Sequence, residues 1–372
     1  MAGRETLKGK VQTVLGLIEP DALGPTLMHE HILWDIRTPA MRDEADQGPE
    51  IDLCNCWKVN YGQIKAPRNY QLNCEAVAAT EVAEVVAFGG RSIVELSCGG
   101  LAPNPGGLAA VARQSGVNIV MGCGHYVDEY QDPANRARTP DDFAAEMVAQ
   151  VFQGAWGTDI RAGIIGEIGC QSPWTELERR VMQGALLAQA ETGATVNVHP
   201  GRHEDQPQEV ADFIRAQGGR IDRVVISHID RTIFDTDRLL RLADTGCVLE
   251  FDLFGTEQAY YRLSDIDMPN DAIRLRMIRS LIDHGHLDRV VISHDICSRT
   301  RLSSFGGHGY GHIFANILPM MRRRGFTQQE IDTIMVRNPA ATADLRLVAH
   351  FQTCVLSGVV VKTTIGRPVN FV

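Results

Sequence analysis

With 372 residues, 44% of them hydrophobic, the chain can fill the core of one large barrel or of two ordinary domains, which excludes a mainly disordered protein. A formal charge of −10 argues against sequence-independent binding to nucleic-acid backbones, which needs clustered Lys and Arg. The N-terminal segment has no apolar run of signal length, and nowhere do about 18 uncharged apolar residues follow one another, so a cytoplasmic protein with no membrane partner is expected.

In chain order, short β-branched runs ending in Gly, His or Asp predict eight strands, at 26–32, 92–97, 117–122, 162–168, 195–199, 224–228, 247–252 and 290–294. Between them, amphipathic stretches at 73–88, 139–156, 175–191, 207–217, 235–244 and 271–284 predict crossover helices. Apolar runs such as Val224-Val225-Ile226 and Val290-Val291-Ile292 fit strands covered on both faces, as in parallel sheets. The expected fold is therefore α/β, a (β/α)₈ TIM barrel, because polar residues collect at the C-terminal ends of many strands. A doubly wound open sheet is the alternative, but no G-x-G-x-x-G or G-x-x-x-x-G-K turn occurs.

The barrel is read as residues 1–340, with an insertion at 37–70 that covers the mouth after the first strand, and a C-terminal extension at 341–372. In that extension the β-rich stretch 355–365 is expected either to pair with 11–17 or to stay irregular. The basic run Arg322 to Arg324 reads as a solvated helix end before Gly325. Nine cysteines at irregular spacing, with Cys54 and Cys56 the one close pair, give no disulfide framework and no zinc knuckle.

The chemistry is expected at the strand ends. In His29-Glu30-His31, period-two geometry puts both imidazoles on one face, about 7 Å apart, where they can share a metal. His199, His228 and Asp295 each close a further apolar strand, and Glu167 sits within Gly163-Ile-Ile-Gly-Glu-Ile-Gly169. A carboxylate in so apolar a strand should face a cation. Together these six donors suffice for two ions about 3.5 to 4 Å apart, bridged by Glu167. Asp295, beside the metal-bound water, is the expected general base, with Glu167 the other catalytic carboxylate. No G-x-S-x-G is present, Cys170 reads as packing, and His125 as a hydrogen-bonded polar residue.

On these residues, and on Thr26-Leu-Met-His-Glu-His31, Gly166-Glu-Ile-Gly-Cys170, His199-Pro-Gly-Arg202, Phe251-Asp-Leu-Phe-Gly-Thr-Glu257 and Gly306-Gly-His-Gly-Tyr-Gly-His312, the sequence resembles the phosphotriesterase family of the amidohydrolase superfamily, from about Val11 through Ala340. Its likeness is to the phosphotriesterase-related branch. The resemblance implies a binuclear barrel hydrolase, in a branch that includes hydrolases of N-acetyltaurine. Compared with the bacterial organophosphate hydrolases, Glu167 stands for their carboxylated lysine, Leu253 for a relay histidine and Arg231 for the relay's next acid, which disfavours phosphotriesters as the main substrate.

Arginine is the second theme: Arg202, Arg231, Arg299 and Arg301 closely follow ligand-bearing strands and are expected to form an anion pocket in an acidic protein. Tyr126, Tyr310 and Trp34 are expected to wall its acyl side. The expected activity is metal-dependent cleavage of the amide of a small anionic N-acyl acid. A lactonase, carboxylesterase or phosphoesterase on the same site is the alternative, and a non-catalytic binding protein the more distant one. Zinc is the expected metal, with manganese and cobalt also compatible, and a homodimer is a common state of similar barrels.

Overall fold

The computed structural model describes residues 4–258, 261 and 263–346, together with the backbone of the strands Phe351–Leu356 and Val359–Thr364. Eight parallel strands form one sheet: β1 (Thr26–Glu30), β2 (Ser92–Glu95), β3 (Asn118–Cys123), β4 (Ile164–Gly169), β5 (Val196–His199), β6 (Val224–Ile226), β7 (Val248–Phe251) and β8 (Val290–Ile292). Their spatial order is their chain order, and the ends meet: Asp295 N donates to His29 O (3.1 Å) and His29 N to Ser293 Oγ (3.0 Å). The sheet is thereby closed nearly into a barrel, as the alternation of strand and helix predicts.

The strand residues sort onto two faces. Met28, Val94, Val120, Ile164, Val225, Val248 and Val291 pack together inside the barrel. Leu27, Ile93, Ile119, Ile165, Val224, Leu249 and Val290 pack outward, against the helices. This double burial is why the strands read as unbroken apolar runs.

All six expected helices are present: α1 (Glu75–Ala87), α3 (Pro140–Phe152), α4 (Glu176–Thr192), α5 (Gln206–Ala216), α6 (Thr236–Ala243) and α7 (Asp271–Asp283). Thr139 with Asp142 and Thr175 with Glu178 form capping boxes that start α3 and α4. Sequence patterning missed α2 (Pro105–Ser115), whose first turn is Pro-Gly-Gly; Asn104 rescues it by accepting from Gly107 N, with Pro105 preset for the first turn. The helix Leu318–Arg323 ends on Arg322 and Arg323, before Gly325 in the left-handed region (φ 85°).

The insertion folds as short helices, Pro39–Asp43 and Cys56–Asn60, around its own small cluster of Ile51, Val59 and Ala66. It is tied back through Trp34–Asp35 pairing with Gln71–Leu72. At the other end of the chain, Val11–Thr13 pairs with Gly16–Ile18 and Val11 also bridges Asp344. The C-terminal strands Phe351–Leu356 and Val359–Thr364 pair with each other, so the 355–365 stretch takes neither arrangement expected of it. A local hairpin closes less chain than pairing across the molecule would.

Candidate metal centre

Five strands bring six side chains to one point at the barrel's C-terminal end. His29 lies in β1 and His31 just past it, Glu167 in β4, and His199 closes β5; His228 and Asp295 follow β6 and β8. Strict alternation alone would not aim them. The β1–β2 ladder shifts register between Leu27 and Glu30, and the β4–β5 ladder between Ile165 and Ile168, so an irregularity sits at His29 and another at Glu167. His228 (φ 56°) and Asp295 (φ 50°) adopt the left-handed conformation, which costs about 1–3 kcal/mol and persists only where surroundings enforce it. Here both oxygens of Asp252 accept from His228 N, and the His29 carbonyl accepts from Asp295 N.

Glu167 is central. Its Oε1 lies 2.6 Å from His199 Nδ1, 2.9 Å from His228 Nε2 and 3.6 Å from His29 Nε2, while Oε2 lies 4.0 Å from His31 Nε2. Asp295 Oδ1 stands 3.3 Å from His31 Nε2 and 3.8 Å from His29 Nε2. Two donor sets, His29/His31/Glu167 and Glu167/His199/His228, therefore share the Glu167 carboxylate.

Three imidazoles turn their outer nitrogens to oxygen. His29 Nδ1 meets Glu250 and Asp252 (both 3.1 Å), His228 Nδ1 meets Asp252 (2.9 Å), and His31 Nδ1 meets Ser97 Oγ (3.0 Å). Each ring is thus fixed with its other nitrogen inward, the arrangement that orients metal-bound histidine. His29 Nε2 is buried with no hydrogen-bond partner at all, a costly state that a cation would relieve. The residues fit a pair of divalent ions.

A model of the Phosphotriesterase family matches residues 9–342. The chain belongs to the phosphotriesterase family. It is 43% identical over 342 residues to the N-acetyltaurine hydrolase of Xenopus tropicalis and 41% to that of Homo sapiens, each alignment covering 90% of this chain and 97% of the relative. Among solved structures, a resiniferatoxin-binding protein from Rhodobacter sphaeroides superposes with a TM-score of 0.85 at 34% identity, covering 91% of this chain and 96% of that one. The chain is a metal-dependent hydrolase of this family.

The electrostatics of the cluster divide its histidines. Burial pushes the Glu167 carboxyl up, but His199 and His29 outweigh it and hold the group well below the ordinary carboxylate range. Burial likewise opposes ionisation of Asp295, yet the hydrogen bond from His31 and the charges of His29 and His228 keep it low. His199 is driven down to about 3, chiefly by burial and against the pull of Glu167. His29 is raised well above and His228 above the ordinary imidazole value, since burial lowers both but Glu167 and Asp252 outweigh it at His29 and Asp252 at His228, so a metal binding there would displace protons.

A cavity of about 110 Å³ opens over the cluster, lined by His31, Glu167, His199, His228 and Asp295. Three of the four expected arginines reach it: Arg202, Arg231 and Arg301. Arg231 is buried, with Nη2 3.4 Å from His199 Nε2 and donating to Pro200 O (3.2 Å); Arg202 is held by Tyr261 (2.9 Å), and Arg301 by the Asp295 carbonyl (2.6 Å). Tyr126 lines the same cavity, its hydroxyl 3.4 Å from His199 Nδ1, and so does Leu253, where the bacterial organophosphate hydrolases carry a relay histidine.

Arg299 and Tyr310 do not line the cavity. Arg299 donates to Gln71 O (2.7 Å) and pairs with Glu50 (3.6 Å), anchoring the insertion instead. Tyr310 is fully buried behind the site, its hydroxyl donating to the His31 carbonyl (2.5 Å), and Trp34 is likewise core. His125 spends its nitrogens on Glu146 (3.0 Å) and Asn135 (3.3 Å), and the buried Cys170 thiol is pushed up by desolvation.

Sequence reasoning missed the supporting carboxylates. Asp252 holds one histidine of each donor set, Glu250 also accepts from Ser227 (2.7 Å) and Asn197 (2.9 Å), and Glu30 grips Ser293, His294 and Ile296 of the β8 end. Asp252 had a signal, since it ends an apolar strand as Asp295 does.

Proposed function

We propose that this chain hydrolyses the amide bond of small anionic N-acyl acids, with N-acetyltaurine, cleaved to acetate and taurine, as the leading substrate. The observation that carries this is one cavity lined both by the metal-ligand cluster and by three guanidiniums. Names of the relatives point the same way. A neutral phosphotriester would bring no anion to those guanidiniums, whereas a guanidinium can bind sulfonate or carboxylate through two parallel hydrogen bonds.

His29, His31 and Asp295 would hold one ion, His199 and His228 the other, and Glu167 both, with zinc preferred for its affinity for imidazole and carboxylate. Bound there, the ions would bring a water's pKa toward neutrality and polarise the scissile carbonyl. Asp295 takes the proton as the water oxygen adds to the carbonyl carbon, then returns a proton to the nitrogen as the C–N bond breaks. Arg231 and Arg202 fix the anion on the β5–β6 side, and Tyr126 faces the acyl carbonyl. With Leu253 closing the relay route, the proton on Asp295 leaves with the amine. We also assign residues 1–340, with the 37–70 insertion, to one catalytic barrel and residues 341–372 to an extension outside its chemistry.

The test is release of the free amine from N-acetyltaurine, N-acetyl-β-alanine and the neutral N-ethylacetamide by metal-loaded protein. Turnover of both anions at least a hundredfold above the neutral amide is expected. Turnover confined to lactones, carboxyl esters or phosphoesters would overturn the reading.

A further inference from the structure

Arginines in this protein are held in two ways. Arg274, fully buried, pairs with the carboxylates of Asp230 (2.6 Å) and Asp271 (2.8 Å), and the buried Arg223 pairs with Asp344 (2.9 Å). Such charges are matched where they stand, as burial of an ion requires. The three arginines of the metal cavity lean on neutral oxygens instead. Arg202 donates to the Tyr261 hydroxyl (2.9 Å), Arg231 to the Pro200 carbonyl (3.2 Å) and the Thr232 hydroxyl (3.3 Å), and Arg301 to the Asp295 carbonyl (2.6 Å). Among the described residues none of the three has an ion pair with a carboxylate. A neutral acceptor fixes a guanidinium without cancelling its charge, which is left whole for an anion entering the cavity.

Arg231 and Arg301 use backbone carbonyls, which any residue supplies. Arg202 depends on one side chain from elsewhere in the chain: it follows β5, whereas Tyr261 lies between β7 and α7, and both line the metal cavity. Arg202 is exposed, and a long exposed side chain keeps its rotamer freedom unless something holds it. The bond to Tyr261 is made by Nε, and among the described residues Nη1 and Nη2 have no hydrogen-bond partner. The far edge of the guanidinium is therefore free to take two oxygens of one sulfonate or carboxylate.

We infer that Tyr261 is a specificity-determining positioning residue: its hydroxyl holds Arg202 by Nε so that the Nη edge meets the substrate anion, and it thereby sets the preference for anionic over neutral amides. This rests on the amide-hydrolase reading above. Without the hydroxyl, the ordering of Arg202 would fall on substrate binding. The bond is worth about two- to tenfold in an equilibrium constant.

The experiment is Tyr261→Phe, alone and combined with Arg202→Gln, assayed with N-acetyltaurine and N-ethylacetamide alongside metal analysis. The phenyl ring, whose centroid lies 5.9 Å from the guanidinium carbon in the wild type, is retained, so only the hydroxyl is lost. In the single variant KM for N-acetyltaurine should rise about three- to tenfold with kcat unchanged, the mark of lost binding that is equal in ground and transition states. Metal content and kcat/KM for the neutral amide should stay at the wild-type values. In the Arg202→Gln background, Tyr261→Phe should change nothing further, because its effect runs through that guanidinium. An unchanged KM, a rise of the same size in both backgrounds, or an equal loss on the neutral amide would remove the positioning role while leaving N-acetyltaurine hydrolysis standing. Failure of the wild type to hydrolyse any N-acyltaurine, with turnover of lactones or esters, removes the amide-hydrolase reading and the positioning role together.

Discussion

The two ends of this barrel are built on opposite principles. In its lower half the interior is hydrocarbon: Met28, Val94, Val120, Ile164, Val225 and Val291, all with no measurable exposure. Toward the C-terminal ends of the strands the interior holds His29, Glu167, His199, His228, Glu250 and Asp252, all buried. The first half stabilises by removing apolar surface from water, about 1.5–3 kcal/mol for each large side chain. The second gains little from burial, because desolvating a charge costs more than most pairings return. It is tolerable only as a network of paired charges, and His29 Nε2, which makes no hydrogen bond although Glu167 lies 3.6 Å away, is where a cation would fit. Stability resides at one end and chemistry at the other, so substitutions at the two ends should fail in different ways.

The largest effect is expected at Glu167. Glu167→Gln keeps the shape and removes the charge shared by both donor sets, so the second metal and most activity should be lost; full metal content with normal turnover would break the account. Because glutamate needs no carboxylation, reconstitution of the wild type should be indifferent to added bicarbonate. Asp295→Asn should retain most metal while kcat falls by about 10²- to 10⁴-fold. The loss should be larger on an N-acyl substrate than on an activated ester of the same acyl group, whose leaving group needs no proton. Equal losses on both would mean that Asp295 activates water only.

Asp252→Asn probes the layer behind the ligands. That carboxylate orients His29 and His228 together, so metal affinity should fall about 10- to 100-fold, with both ions affected, as metal titration would show. Loss of one ion alone would separate the two histidines' support. At the apolar end, Met28→Ala should cost about 2–5 kcal/mol in chemical denaturation while metal stoichiometry and kcat of the folded fraction stay near wild type. A kcat loss there as large as at Asp295 would erase the division between the two ends.

The same division explains what was legible in the sequence. Strands buried on both faces are written as β-branched runs, and a His or Asp ending such a run stands out, which is how His199, His228 and Asp295 were singled out; His29 and His31 showed by their period-two spacing and Glu167 as a carboxylate inside an apolar strand. Asp252 ends its apolar run as Asp295 does, but its meaning, like that of Glu250 within β7, depends on His29 and His228 arriving from elsewhere. Arg299 and Tyr310 follow the right motifs but are carried away from the cavity by the path of the chain after β8, where Gln71 and the His31 carbonyl claim them. Helix α2 was hidden by Gly106 and Gly107, whose low propensity is offset by the Asn104 cap.

The central claim, that the buried polar half of the barrel is completed by two metal ions, is tested most directly by elemental analysis of the purified wild type together with its melting temperature before and after chelation. The account predicts two divalent ions per chain and a melting temperature that falls when they are removed, since a cation bound only to the folded state stabilises it. Protein that carries no metal after reconstitution, or that melts at the same temperature with and without it, would contradict the claim.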